Sequence, residues 1–155
     1  MKLHLITFSI AAMQFGVDSS IVDCVISRQP LRALRLIPAW IAGIVPIRGD
    51  VLSAIDIAAL LGLTPTVRSH VDGLVVRSAD EALVLIADAL GGVVAIDQNS
   101  KSAPPTDATA AVRNVCKEWY ASEAGGIGEL DLKKLLEPLS KHVTDRNQGG
   151  IHGVA

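Results

Sequence analysis

The sequence predicts an all-β chain with only short helices, and three observations carry that reading. β-branched residues are abundant, and they favour strands because they pack well on a pleated, half-buried surface. Apolar stretches alternate or run short, and Gly, Pro, Asp and Ser cut them at close intervals. Half of the chain is hydrophobic but aromatics make up only 3%, so the core has to be built from Ile, Leu, Val and Ala.

The elements follow in order. Leu3 to Ala11 alternates, and the set Ile6, Phe8, Ile10 is the more apolar, so those side chains are expected to face inward. Phe15 to Val17 and Ile21 to Ile26 read as strands around a turn at Asp18-Ser19-Ser20. Leu31 to Leu36 is flanked and interrupted by Arg28, Arg32 and Arg35, which gives it a basic solvated face. Pro38 disfavours helix at the residue before it. Val51 to Ile57 is a strand by composition, and Ala58 to Leu61 is a helical turn that Gly62 stops. Thr64-Pro65-Thr66 punctuates the chain. Val71 to Val76 and Ala82 to Ala87 flank Arg77-Ser78-Ala79-Asp80 as a hairpin. Gly91-Gly92 is expected to turn before Val93 to Ile96.

Pro104-Pro105 marks a loop, and Ala108 to Ala121 fits either helix or strand. Gly125 to Gly128 excludes a stable helix there. Asp131 to Leu139 reads as a short amphipathic helix with Leu132, Leu135, Leu136 and Leu139 on one face. From Lys141 to Ala155 the tail is polar and Gly-rich, and it is expected to be flexible.

Composition excludes several functions. The formal net charge is −2 and the pI is near 6.0, which leaves no electrostatic footprint for nucleic acid. Mean hydropathy is high, +0.41, yet no uncharged apolar run reaches the ~20 residues that span a bilayer. The N-terminal stretch is broken by His4, Thr7, Ser9 and Gln14, so a strand fits it better than a secretory leader. Cys24 and Cys116 lie far apart, which suits neither a disulfide framework nor a metal pair, and such usage fits the cytoplasm. Val22, Val25 and Ile26 beside Cys24 suggest a buried, inert thiol. The four histidines (His4, His70, His142, His152) show no ligand spacing, so solvated positions are expected and no metal. The Gly-rich stretch 125–128 lacks the Lys-Ser/Thr of a phosphate loop, and no cofactor is expected.

One frame occurs twice: apolar-Asp-apolar-x-x-Leu-Leu, around Asp56 and again around Asp131. It suggests two related halves. An Asp at a strand-to-helix junction can accept hydrogen bonds from the first free amides of the helix, so Asp56 and Asp131 are expected to be structural caps. A catalytic carboxylate pair is the competing reading, and capping accounts for both residues without it.

The richest stretch is Ile37 to Leu63, IPAWIAGIVPIRGDVLSAIDIAALLGL. An aromatic leads an apolar run through Gly43, then come Ile47-Arg48-Gly49-Asp50, a strand ending in Asp56 and a short Leu-Gly-Leu-ended helix. This stretch resembles the signature of the CheW family of coupling proteins in bacterial chemoreceptor arrays. The likeness extends to Phe15-Gly16-Val17-Asp18, Val22 with Val25-Ile26, Leu74 to Ile96, and Leu130-Asp131-Leu132 with Leu135-Leu136.

The resemblance implies two small five-stranded β-barrels sharing a hydrophobic core. Residues 1–140 would form one CheW-like domain, with a first barrel over about 14–67 and a second over about 68–137 completed by the N-terminal strand. It implies a cytoplasmic, non-catalytic adaptor between a CheA-type histidine kinase and the cytoplasmic tip of a methyl-accepting chemoreceptor, with no nucleic acid and no membrane insertion. By the same resemblance Val22, Gly43, Arg48 and Gly49 would bind partners. From the triplet alone, Arg48-Gly49-Asp50 reads as an ordinary hairpin turn with a solvated Arg and Asp, and the surrounding match is what favours a partner contact for Arg48. Gly43 would also permit close backbone approach or a bulge.

Three positions depart from the family pattern. Pro46 stands where the family has Asn, Ser53 where it has Pro, and Cys24 where it has Glu. The alternative is therefore a regulatory interaction module of a motility or other two-component pathway that has lost the standard receptor contact.

Overall fold

The computed structural model describes residues 2–34, 38, 40–63, 69–78, 81–123 and 125–138. The N-terminal alternation forms β1 (Lys2–Ile10), which returns as β2 (Met13–Asp18). The turn between them is Ala11-Ala12, both at positive φ, 51° and 67°. A two-residue turn of that hand matches the twist of the strands. The Asp88 carboxylate accepts from Ala11 N at 2.8 Å and holds the turn from outside. A 3-10 turn at Ser19–Ile21, capped by Asp18, leads into β3 (Val22–Pro30). Then come β4 (Arg32–Ala33), β5 (Ile41–Ile47), β6 (Asp50–Asp56) and helix α1 (Ile57–Leu60). β7 (His70–Ser78) and β8 (Glu81–Ala87) form the expected hairpin. β9 (Ala89–Asp97), α2 (Ala110–Val115), β10 (Cys116–Ser122), β11 (Gly125–Leu130) and α3 (Leu132–Leu135) follow.

Two sheets result. One has the order β3-β7-β8-β6-β5-β4, the other β10-β11-β2-β1-β9. β3 and β4 are consecutive in the chain, so this stretch pairs with β7 at one end and with β5 at the other. The six-stranded sheet thereby closes into a barrel that stays open along a seam between β3 and β5. An isolated bridge between Lys101 and Tyr120 draws the five-stranded sheet toward closure in the same way.

Three apolar clusters match this arrangement. The largest joins the facing sides of the two sheets, with Phe8, Ile10, Phe15 and Val17 of one against Ile55, Leu74, Val76 and Leu85 of the other. A second, around Val45, Ala54, Val75 and Val84, fills the six-stranded barrel. A third, Leu5, Ile96, Tyr120 and Ile127, fills the five-stranded side. Both faces of β1 are thus covered. Phe8 and Ile10 are buried as expected, Ile6 only partly, and Leu5 and Thr7 are buried on the face expected to be outward.

The repeated frame is a structural repeat. Asp56 N donates to Trp40 O, and 75 residues on Asp131 N donates to Val115 O. Leu61 N donates to Ile57 O, and Leu136 N to Leu132 O. β6 pairs antiparallel with β5 and parallel with β8, while β11 pairs antiparallel with β10 and parallel with β2. Even the bulges correspond, at Ile41/Gly43 and at Cys116/Glu118.

Several expectations are corrected. The sheets do not divide near residue 67: β7 and β8 join β3 to β6, and β2 joins the other sheet. The strand order is interleaved because each half needs a parallel partner, which a sequential hairpin cannot supply. Gly91-Gly92 lies inside β9 rather than at a turn, which falls at Asp88 instead. A Cβ on Gly91 would come within 2.2 Å of Thr7 Oγ1, so glycine here lets β1 and β9 approach at the bulge near Phe8. The ambiguous stretch 108–121 is both helix and strand, α2 running directly into β10. α3 is one turn, Leu132–Leu135, broken by a turn at Leu136 before residues 137–138 are helical again, where one continuous helix was expected. Arg35, Thr64-Pro65-Thr66, Ala79-Asp80, Leu139, His142, His152 and the tail 141–155 fall outside the described residues.

Candidate partner-binding surface

The β5–β6 hairpin pairs Ile47 with Asp50, which leaves Arg48-Gly49 as a two-residue turn. Arg48 has φ 50° and Gly49 φ 86°, the pair of left-handed conformations that a type I′ turn requires. Glycine adopts this freely, while arginine does so at a cost of roughly 1–2 kcal/mol. Arg48 is exposed, and among the described residues its side chain has no carboxylate partner. The twist of the strands therefore fixes where the guanidinium leaves the surface.

Beside this tip lies the seam between β3 and β5, a groove of ≈ 240 Å³ lined among others by Cys24, Val25, Gln29, Pro46 and Arg48. Val25 is 48% exposed, a large apolar side chain left open on β3. Cys24 is half-buried rather than buried, because the missing strand pairing along the seam uncovers its flank. The β3 bulge between Ile26 and Gln29 is held by Asp72, whose carboxylate accepts from Arg28 N at 2.8 Å and Ser27 Oγ at 3.2 Å.

The four expected partner residues do not form one patch. Arg48 and Gly49 share the hairpin tip. Val22 opens β3 but is half-buried and packs toward the core between the sheets. Gly43 is buried, and a Cβ there would sit 2.1 Å from Arg32 O of β4. Its role in the fold is to admit β4, with a bulge at the same place. Asp56 and Asp131 both sit at helix N-termini. Asp56 Oδ1 accepts from Ala59 N at 3.3 Å, and Asp131 Oδ1 from Lys133 N at 3.1 Å and Lys134 N at 3.4 Å. They lie at equivalent points of separate halves, not together in one cleft.

The sequence reading missed a buried polar group inside the five-stranded side. Glu129 is buried, and Tyr120 OH donates to its Oε1 at 3.4 Å. Burial raises the Glu129 pKa above its ordinary value; Lys117 and the Tyr120 hydroxyl oppose this, and Asp18 and Glu118 reinforce it. Burial, and then Glu129, push the Cys116 thiol up to about 12, which keeps it protonated and unreactive. The only signal in the sequence was Glu129 between glycine and leucine in a strand. Among the described residues no group of three His, Cys, Asp or Glu could hold a metal, and no helix is long and apolar enough to cross a membrane. His4 and His70 are exposed.

Known proteins agree with this geometry. A family model for the CheW-like domain matches residues 4–147. The chemotaxis protein CheW of Treponema pallidum (strain Nichols) is 25% identical over 109 residues, which cover 67% of this chain and 64% of that protein's length. The crystal structure of the scaffolding protein TtCheW from Thermoanaerobacter tengcongensis superposes with a TM-score of 0.75 at 25% identity, covering 88% of this chain and 94% of that one. The chain belongs to the CheW-like domain family, a family of non-catalytic scaffolds.

Proposed function

We propose that this chain is an adaptor that couples chemoreceptors to a CheA-type histidine kinase in a chemotaxis-like signalling pathway. Arg48 is the anchor residue, and the groove between β3 and β5 is the surface it serves. The observation that carries the reading is the conformation of Arg48: exposed, left-handed at the tip of a tight turn and without an ion-pair partner among the described residues. A residue held in a sparsely populated backbone region without a structural contact points to a role outside the fold. Its partner would be the cytoplasmic tip of a receptor, the kinase, or both.

Arg48→Ala tests this. Folding stability should change by about 0.5 kcal/mol, as for an exposed side chain without partners. Binding to a purified receptor tip or kinase fragment should weaken by roughly 1–2 kcal/mol or more. Unfolding of the variant would make Arg48 structural and end the assignment. Bound partner should also shield Cys24 from a thiol reagent, since that side chain lines the groove.

A second reading has its own observation. Two of the three departures from the family pattern, Cys24 and Pro46, line the groove itself. This favours a module whose receptor contact has been altered while its kinase contact remains. Binding to the kinase fragment with no measurable binding to the receptor tip would select it.

A further inference from the structure

Beyond the seam, the outward face of β4, β5 and β6 carries a second surface. Strand register places its residues. Arg32, Ile44 and Ser53 lie directly opposite one another across three strands, and Pro46 lies opposite Val51 in the next outward row. Side chains two apart along a strand share a face, so Ile44, Pro46 and Val51 make one apolar strip with Arg32 at its edge. The strip is open. Val51 is 61% exposed, and Pro30, Leu31, Arg32, Ile44, Pro46 and Val51 line a shallow depression of ≈ 260 Å³.

Two cations border the strip, Arg32 at its edge and Arg48 at the hairpin tip, in a chain whose formal net charge is −2. Among the described residues, the side chains of Arg32 and Arg48 have no ion-pair partner. Asp50, beside the turn, is an exposed carboxylate. The sheet edge also says what cannot dock. Ile47 and Asp50 close a two-residue turn and so bond to each other, which directs the backbone of Pro46, the next residue, away from β6. That open side presents a proline nitrogen with no hydrogen to give, and proline on an edge blocks the addition of a strand.

We infer that the Ile44–Pro46–Val51 face is a docking site for an amphipathic helix of a partner protein, one whose apolar ridge is flanked by Asp or Glu side chains. The ridge lies along the strip, and the carboxylates reach Arg32 and Arg48. This surface adjoins the seam, with Pro46 on both and Arg48 at their shared border, and its apolar strip gives the domain a second place to hold a protein.

The test uses the full chain and two synthetic peptides of about five helical turns. One carries Leu at i, i+3, i+4 and i+7 with Glu on both flanks; the other has Lys in place of Glu. The Glu peptide should bind saturably, with amide shift changes centred on Arg32, Ile44 and Val51, and the Lys peptide about tenfold or more weaker. Val51→Asp and Arg32→Glu, both at exposed positions, should each weaken the Glu peptide about tenfold while leaving the melting curve in place. Arg48→Ala should weaken it less than either, so a failure here is distinct from a failure of the seam as a partner site. No saturable binding, equal binding of the two peptides, shifts confined to the seam, or concentration-dependent dimerisation through Val51 would each overturn the proposal.

Discussion

Arg48 and Glu129 show how single residues are held in states they would not choose alone. Arg48 occupies a backbone region that glycine fills at no cost. Arg48→Gly should therefore raise stability by about 0.5–1 kcal/mol, part of the relief being cancelled by the freer unfolded chain. Denaturant titration measures this, and partner binding should fall in the same variant. A drop in stability would mean the arginine side chain supports the fold. Glu129 is the second case. Its folded pKa is raised, chiefly by burial, so the fold prefers the protonated acid. The stability it contributes is complete below the ordinary carboxylate value of 4.5 and is lost as pH rises through the raised value. Glu129→Gln should make the protein more stable at pH 8 and flatten the dependence of the melting temperature on pH above 5. A pH profile parallel to that of the parent would contradict this. Neither state was visible in the sequence. A positive φ at arginine leaves no trace in residue type, and the burial of Glu129 depends on β2 arriving from a distant part of the chain to lie beside β11.

Elements were more legible than residues, because the forces that set them are local. The α1 end illustrates this. Gly62 has φ 73°, Leu63 N donates to Ala58 O at 2.7 Å and Gly62 N to Ala59 O at 3.2 Å, the paired bonds of a glycine-terminated helix. Asp56 and Asp131 were readable for the same reason, since capping is chemistry between near neighbours. Asp56→Ala and Asp131→Ala should each cost about 1 kcal/mol, and the double variant should lose the sum, because the two caps share no partner. Strong coupling in that cycle, measured by denaturant melts, would contradict independent caps. The Gly91-Gly92 misreading has the opposite origin. Gly91 answers to Thr7, far away in sequence, and no local rule could say so. The corresponding tips of the two halves have also diverged, Arg48 in one and Glu123 in the other. The repeat thus kept its scaffold and changed the charge it presents.

At the scale of the whole molecule, the fold class followed from the resemblance and the periodicity, while the sheet memberships did not. Parallel pairings such as Gln14 with Ile127 join segments more than a hundred residues apart, and pattern alone carries no information on them. The shared core makes the two sheets one thermodynamic unit. Trp119 packs against Phe15 with ring centroids 6.3 Å apart and ring planes tilted by 51°, and fills the space over Gly128. Trp119→Ala should cost about 3–5 kcal/mol. Hydrogen exchange in the β3–β8 sheet should speed up as much as in the sheet that contains the substitution. Two separate melting transitions would show that the halves are independent. The interleaving of strands has one more consequence, for the growing chain on the ribosome. The β1–β2 hairpin is made well before its parallel neighbour β11, by on the order of 5–20 s at ordinary elongation rates. During that interval β3 to β8 can close, and the β2 edge waits unpaired beside them. The nascent chain is therefore most open to wrong strand partners between the making of β8 and that of β11, when one barrel can already close and the other still lacks β10 and β11.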